Sequence, residues 1–124
     1  MANIFFTFLC FLPFLLVLSQ GAGVHECNPF ITISQVQTVN QIHGQNEWKV
    51  TVTNQCDCTQ LNVQITCAGI DSSTLALDPA LVTQSGNICT LNNGGPIHPH
   101  TSFTFQYAWE KIDFQPFDST EACS

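Results

Sequence analysis

Arginine is missing from this chain of 124 residues, and its basic side chains number two, Lys49 and Lys111. Set against nine acidic groups, they leave a formal charge of −7. A phosphate backbone is held by clusters of Lys and Arg, so two separated lysines exclude nucleic acid as a partner. The same shortage excludes the cationic, membrane-disrupting class of small cysteine-rich peptides. No phosphate-cradling glycine loop is present to hold a nucleotide or a nucleotide sugar, and no G-x-S-x-G turn is present to raise a serine nucleophile. No Cys-x-x-Cys pair offers the spacing of a structural zinc site, and no Asn-x-Ser/Thr acceptor predicts N-glycosylation. Internal repeats, low-complexity runs and a dividing linker are also missing, as is any amphipathic stretch of helical period.

What is present begins with MANIFFTFLCFLPFLLVL, an apolar run followed by the small and polar residues Ser19 to Gly23. The run from Ile4 to Leu18 falls short of the roughly 20 residues a membrane-spanning helix needs, and no basic stop-transfer flank follows. Residues 1–23 therefore read as a secretory signal peptide, with small residues placed for cleavage after Gly21 or Gly23. Taking Gly23 leaves residues 24–124 as a single secreted cysteine-rich domain, extracellular and with no membrane insertion once the signal is removed.

Cleavage also resolves the odd count of seven cysteines, because Cys10 leaves with the signal. Cys27, Cys56, Cys58, Cys67, Cys89 and Cys123 remain in a chain bound for an oxidising space, where thiols pair and persist as disulfides. Sequence alone does not choose among the possible pairings. One constraint is geometric: cysteines two apart in an extended segment do not reach each other, so Cys56 and Cys58 should take different partners.

The mature sequence is written in period two. In EWKVTVTN, Trp48, Val50 and Val52 face one way and Lys49, Thr51 and Thr53 the other; in QLNVQITC, Leu61, Val63, Ile65 and Cys67 alternate with Asn62, Gln64 and Thr66. TSFTFQYAW places Phe103, Phe105, Tyr107 and Trp109 on one face, and Phe30, Ile31 and Ile33 open a first strand in FITISQVQTV. Turn chemistry separates the runs: HGQN at 43–46, DPAL at 78–81, NNGG at 92–95 and PIHP at 96–99. The predicted fold is all-β, an antiparallel β-sandwich stapled by about three disulfides.

WKVTVTNQCDC, then VQITCAG, then CTLNNGGPIHPHTSFTFQYAW resemble, in that order and with those gaps, the tapetum determinant family of small secreted plant proteins. The family pattern falls on Cys27, Ile31 to Gln35, Trp48 to Cys56, Cys58, Cys67, Cys89 to Pro96, Phe103 to Ala108 and Cys123, essentially the whole mature chain. The resemblance implies extracellular signalling in the apoplast, with the ectodomain of a plant leucine-rich-repeat receptor kinase as partner and cell-fate specification as outcome. It implies no enzyme and no cofactor. The sequence departs from the family's best-known member in lacking a long amino-terminal extension and in leaving one residue between the paired cysteines, as a paralogue with another receptor would.

Residue by residue, the sharper chemical readings weigh less than the structural ones. His98-Pro99-His100 has the look of a metal-ligand pair, but a third ligand is not evident nearby and the prolines mark a turn, so no metal is expected. Asp71, Asp78, Asp113 and Asp118 supply carboxylates of the kind a glycosidase uses, yet their neighbours are turn-forming. The aromatic stripe with Trp48 suits either a sugar-stacking platform, and hence a cell-wall carbohydrate-binding module, or a sandwich core, and the core is the commoner use. The expected receptor-contact surface is the NNGGPIHPH loop, through Asn92, Asn93, His98 and His100, together with Trp109, where WEKIDFQPFD breaks the pattern as an exposed tail.

Overall fold

The computed structural model describes residues 27–71 and 74–123, so the signal-peptide reading of residues 1–23 lies outside it, as do Ser72 and Ser73 of the Asp71 turn. Seven strands follow one another: β1 (Ile31–Ile42), β2 (Gln45–Asn54), β3 (Thr59–Thr66), β4 (Val82–Ser85), β5 (Ile88–Leu91), β6 (Ser102–Ala108) and β7 (Gln115–Ala122). They form a three-stranded sheet in the order β1-β2-β6 and a four-stranded sheet in the order β4-β5-β3-β7. Every strand pairing is antiparallel.

Alternation decides which face goes inside. Ile31, Val50, Val52, Phe105 and Tyr107 of the first sheet are buried in one cluster with Val63, Ile65, Val82, Cys89 and Leu91 of the second. Phe114, from the segment that leads into β7, stands edge-on to both Phe105 and Tyr107, with ring centroids 5.6 Å apart in each pair. The turn between β1 and β2 has positive φ at both His43 (49°) and Gly44 (78°), the mirror-image turn whose twist matches that of a hairpin.

Three disulfides staple the sandwich: Cys27–Cys56, Cys58–Cys123 and Cys67–Cys89. Cys56 and Cys58 do take different partners. The first two staples hold both ends of the described domain to the β2–β3 connection, and the third ties the residue after β3 to β5 inside the core, where both of its cysteines are fully buried.

Three parts of the fold depart from the period-two reading. In β3 the fully buried side chain beside Val63 and Ile65 is Gln60, while Leu61 is half-exposed. The cause is an irregularity at Asn62, whose φ of 50° shifts the register between Leu61 and Gln64. Gln60 is satisfied there by Ser119 Oγ, which donates to its Oε1 at 2.6 Å. Strands β4, β5 and β7, whose alternation is short or mixed, were not marked by it. Finally, the tail after Trp109 is only partly exposed: Glu110, Lys111, Asp113 and Gln115 face solvent, but Ile112 and Phe114 are core residues and Trp109 itself is half-buried against the core.

The packed tail is locked by Tyr107. Its hydroxyl donates to Gln35 Oε1 at 2.6 Å and accepts from the Ile112 N–H at 2.9 Å, while Gln35 Nε2 donates to the Ile112 carbonyl at 2.7 Å. Burial pushes the phenol above its ordinary value of 10.0, and the Ile112 hydrogen bond opposes that rise in part. The folded state therefore holds this proton more tightly than the unfolded chain. The stability it protects is whole below pH 10.0 and is lost as pH climbs from there towards the raised value. Because the chain has one tyrosine, tyrosinate absorbance reads this group alone. The expected result is a native titration displaced to higher pH than that of the denatured chain; superimposed curves would show an open hydroxyl.

Candidate functional site

One end of the sandwich gathers most of the conspicuous residues. There the chain leaves β2, passes Cys56, Asp57 and Cys58, and enters β3, while the segment 92–101 crosses from β5 in one sheet to β6 in the other. Asn54 joins the two connections. Fully buried, its Nδ2 donates to the carbonyls of Cys58 and Ile97, both at 2.9 Å, and its Oδ1 accepts from the Cys56 N–H at 2.9 Å. Backbone bonds complete the seam: Gln60 and Ile97 exchange a pair at 3.0 and 2.9 Å, and the Asn54 N–H donates to the Thr101 carbonyl at 2.9 Å. A long polar loop of this kind is ordinarily mobile. Here it is fastened along its length.

The NNGG turn is tighter than a generic turn. Asn92, Asn93 and Gly94 all lie in the left-handed region, at φ 53°, 53° and 78°, a conformation Asn and Gly enter most readily. Gly94 has a second reason to be glycine, since a Cβ there would stand 2.7 Å from Asn62 Oδ1. Asn92 Nδ2 donates to the Pro96 carbonyl at 3.2 Å and closes the turn. The PIHP expectation is displaced by two residues. Ile97 is buried in its bridge to Gln60, and the reverse turn runs from His98 to Thr101, whose N–H donates to the His98 carbonyl at 3.2 Å.

Asn93, His98 and His100 are presented to solvent by this loop, with Asn92 half-buried beside them. His100 is engaged through Nε2, which lies 2.8 Å from Asp57 Oδ1 and joins the loop to the residue between Cys56 and Cys58. Both partners are exposed, so the contact is worth less than about 1 kcal/mol. A shallow cleft of about 250 Å³ opens beside it between Cys27, Cys56, Asp57, Cys58 and Glu121. Cys58, Glu121 and Cys123 approach one another there, but both sulfurs are spent in a disulfide.

Trp109 is elsewhere. It follows β6 at the opposite end of the sandwich, where its N–H donates to the Asn46 carbonyl at 3.2 Å. The length of β6 puts it roughly 23 Å from the histidine loop at 3.3 Å per residue. The expected contact residues thus fall at two separate ends. Sequence reasoning missed Asp57, whose pairing with His100 spans 43 residues, and Asn54, whose bonds to Cys58 and Ile97 depend on the fold.

The other chemical readings meet the following geometry. Phe105 and Tyr107 are buried, and Phe103, Trp109 and Trp48 pack partly against the core, so the aromatic stripe is core and not a solvent-facing platform. Lys111 sits over Trp48, its Nζ 5.4 Å from the ring centroid. Of the carboxylates, Asp78 closes a turn, its Oδ1 accepting from the Ala80 N–H at 2.8 Å, whereas Asp113 Oδ1 accepts from the Gln115 side-chain Nε2 at 2.9 Å and Asp118, inside β7, accepts from the Ser119 N–H at 2.9 Å. The Asp71 carbonyl accepts from the Thr74 N–H at 3.1 Å. Among the described residues no helix is long and apolar enough to cross a membrane.

Fold and site together define a small, disulfide-stapled β-sandwich whose loops at one end are tied together by hydrogen bonds. The family model described as "Tapetum determinant 1, C-terminal" matches residues 27–124, and the chain belongs to that family. No curated protein and no solved structure matches it.

Proposed function

We propose that the protein is a secreted ligand of a plant leucine-rich-repeat receptor kinase, acting from the apoplast in cell-fate specification. The observation that carries this reading is membership of the tapetum determinant family across the whole described domain. The geometry supports it in physical terms. A ligand that acts by shape needs a rigid framework and displayed polar loops, and the loop bearing Asn92, Asn93, His98 and His100 is fastened by Asn54 and flanked by two disulfides. A fastened loop loses little conformational freedom on binding, which favours affinity.

The test is binding of the oxidised, secreted protein to a panel of leucine-rich-repeat receptor ectodomains, with the reduced and alkylated protein as control. Saturable binding by the oxidised form alone is the expected result. Retention on a cell-wall polysaccharide, with no binding across the panel, would overturn it.

A further inference from the structure

The β1–β2 hairpin carries an irregularity near its tip. Gln37 stands opposite Trp48 and Gln41 opposite Asn46, so Thr38, Val39 and Asn40 face Glu47 alone, two residues more than a regular ladder holds. The extra residues close over the carboxylate. Thr38 Oγ1 donates to Glu47 Oε1 at 2.8 Å and Asn40 Nδ2 to the same oxygen at 3.2 Å, while the Asn40 N–H donates to Thr38 Oγ1 at 3.2 Å. Glu47 is left 7% exposed, the one buried acid among the described residues, and none of their cations pairs with it. A buried carboxylate is tolerated only because it is hydrogen-bonded.

What this arrangement displays is Val39, 99% exposed at the apex of the bulge. A single exposed valine needs no explanation, but a buried carboxylate that fixes its backbone does. Turning an edge away from pairing, the common use of a bulge, requires no apolar side chain at the apex. The rest of the tip is preset as well. Gln41 Nε2 donates to Asn46 Oδ1 at 3.1 Å across the hairpin, and the Asn46 carbonyl takes the Trp109 N–H, which brings the half-buried Trp109 to the same end.

Charge and shape narrow the partner. From Val36 to Asn46 the hairpin has no acid, lysine or arginine, in a chain at −7, and His43 is its one titratable group. The charges that adjoin it are two of each sign: Glu47 beneath the bulge, Glu110 next to Trp109, Lys49 opposite Val36, and Lys111 over the Trp48 ring. An uncharged, convex, apolar apex fits an uncharged hollow. A second copy does not supply one in its two clefts, since the first carries Lys111 and Asp113 and the second Asp57 and Glu121.

We propose that Val39, held out by Glu47 and with Trp109 at the same end, enters an apolar pocket of the receptor ectodomain, a contact separate from the polar loop at the other end of the sandwich. The inference rests on the receptor reading and deepens it. Val39 is the contact, and Glu47 is a positioning residue that acts through the bulge.

The test measures variants of the full oxidised protein against whichever leucine-rich-repeat ectodomain of the panel binds the wild type. Val39→Asp should weaken binding by at least about tenfold, the scale of an interface hot spot, and Val39→Ile should retain it. Glu47→Ala should weaken binding, whereas Glu47→Gln should keep it, because both donors meet Oε1, which glutamine preserves. Thr83→Ala on β4 should change nothing, and an unchanged tyrosinate titration shows that each variant is folded. A Val39→Asp variant that binds like the wild type, or a Glu47→Gln variant as weak as Glu47→Ala, would overturn this inference and leave the receptor reading standing. A wild type bound by no ectodomain would overturn both. A wild type that self-associates in sedimentation, with Val39→Asp monomeric, would assign the apex to a second copy and overturn the proposal in that way.

Discussion

Replacing Cys67 and Cys89 together by serine should leave little folded protein at ordinary temperature. The chain-entropy model assigns roughly 3.4 kcal/mol to a loop the size of this one, which spans 22 residues. The same model assigns roughly 4.3 kcal/mol to Cys58–Cys123, whose loop spans 65. Entropy alone thus ranks the longer loop first. Burial reverses the order. Cys67 and Cys89 are fully buried, and two hydroxyls placed there without partners cost about 1–3 kcal/mol each. Cys58 is half-buried and Cys123 exposed, so serine there stays solvated. The core pair should therefore lose on the order of 5–9 kcal/mol and the outer pair about 4, against the 5–15 that small domains possess. Denaturant unfolding of both double variants measures the ranking. A Cys58/Cys123 variant less stable than the Cys67/Cys89 variant would show that loop closure outweighs the core.

Asn54→Ala is the second substitution with a large expected effect. It strips a hydrogen bond from the Cys58 carbonyl and from the Cys56 N–H, and one of two from the Ile97 carbonyl, which keeps its bond from Gln60. Two orphaned backbone groups at about 1–2 kcal/mol each put the loss near 2–4 kcal/mol. The damage is local in kind, because the seam between the β2–β3 connection and the 92–101 loop opens before the sheets do. Amide exchange should show the Ile97 and Cys56 N–H groups losing protection while Val50 and Ile65 keep theirs. Uniform loss across both sheets would mean that Asn54 supports the fold as a whole and not the loop.

Most of the framework was readable beforehand because its signals are local. Trp48, Val50 and Val52 alternate, Phe103, Phe105 and Tyr107 alternate, and alternation with turn residues between is what a sandwich strand requires. The disulfides were foreseeable as a set, since compartment and count fix their existence, but their partners are matters of distance and became visible only in the fold. β3 misled at one residue, because an irregularity at Asn62 exchanged the expected Leu61 for Gln60, and period two has no term for an inserted residue. β7 escaped notice because an edge strand bearing proline and carboxylates has no clean alternation. The candidate site was half legible. The left-handed NNGG turn and the exposed histidines lie where the loop chemistry put them, whereas the Asp57–His100 contact and the isolation of Trp109 at the far end depend on pairings that span the chain.

The central claim is an extracellular domain whose shape is set by three staples, and a disulfide map of the protein recovered from plant secretions tests it most directly. The account predicts a mature chain beginning at Val24 with Cys27–Cys56, Cys58–Cys123 and Cys67–Cys89 as its complete set of bonds. A free thiol, a bond between Cys56 and Cys58, or a chain that retains its first residues and never leaves the cell would contradict it.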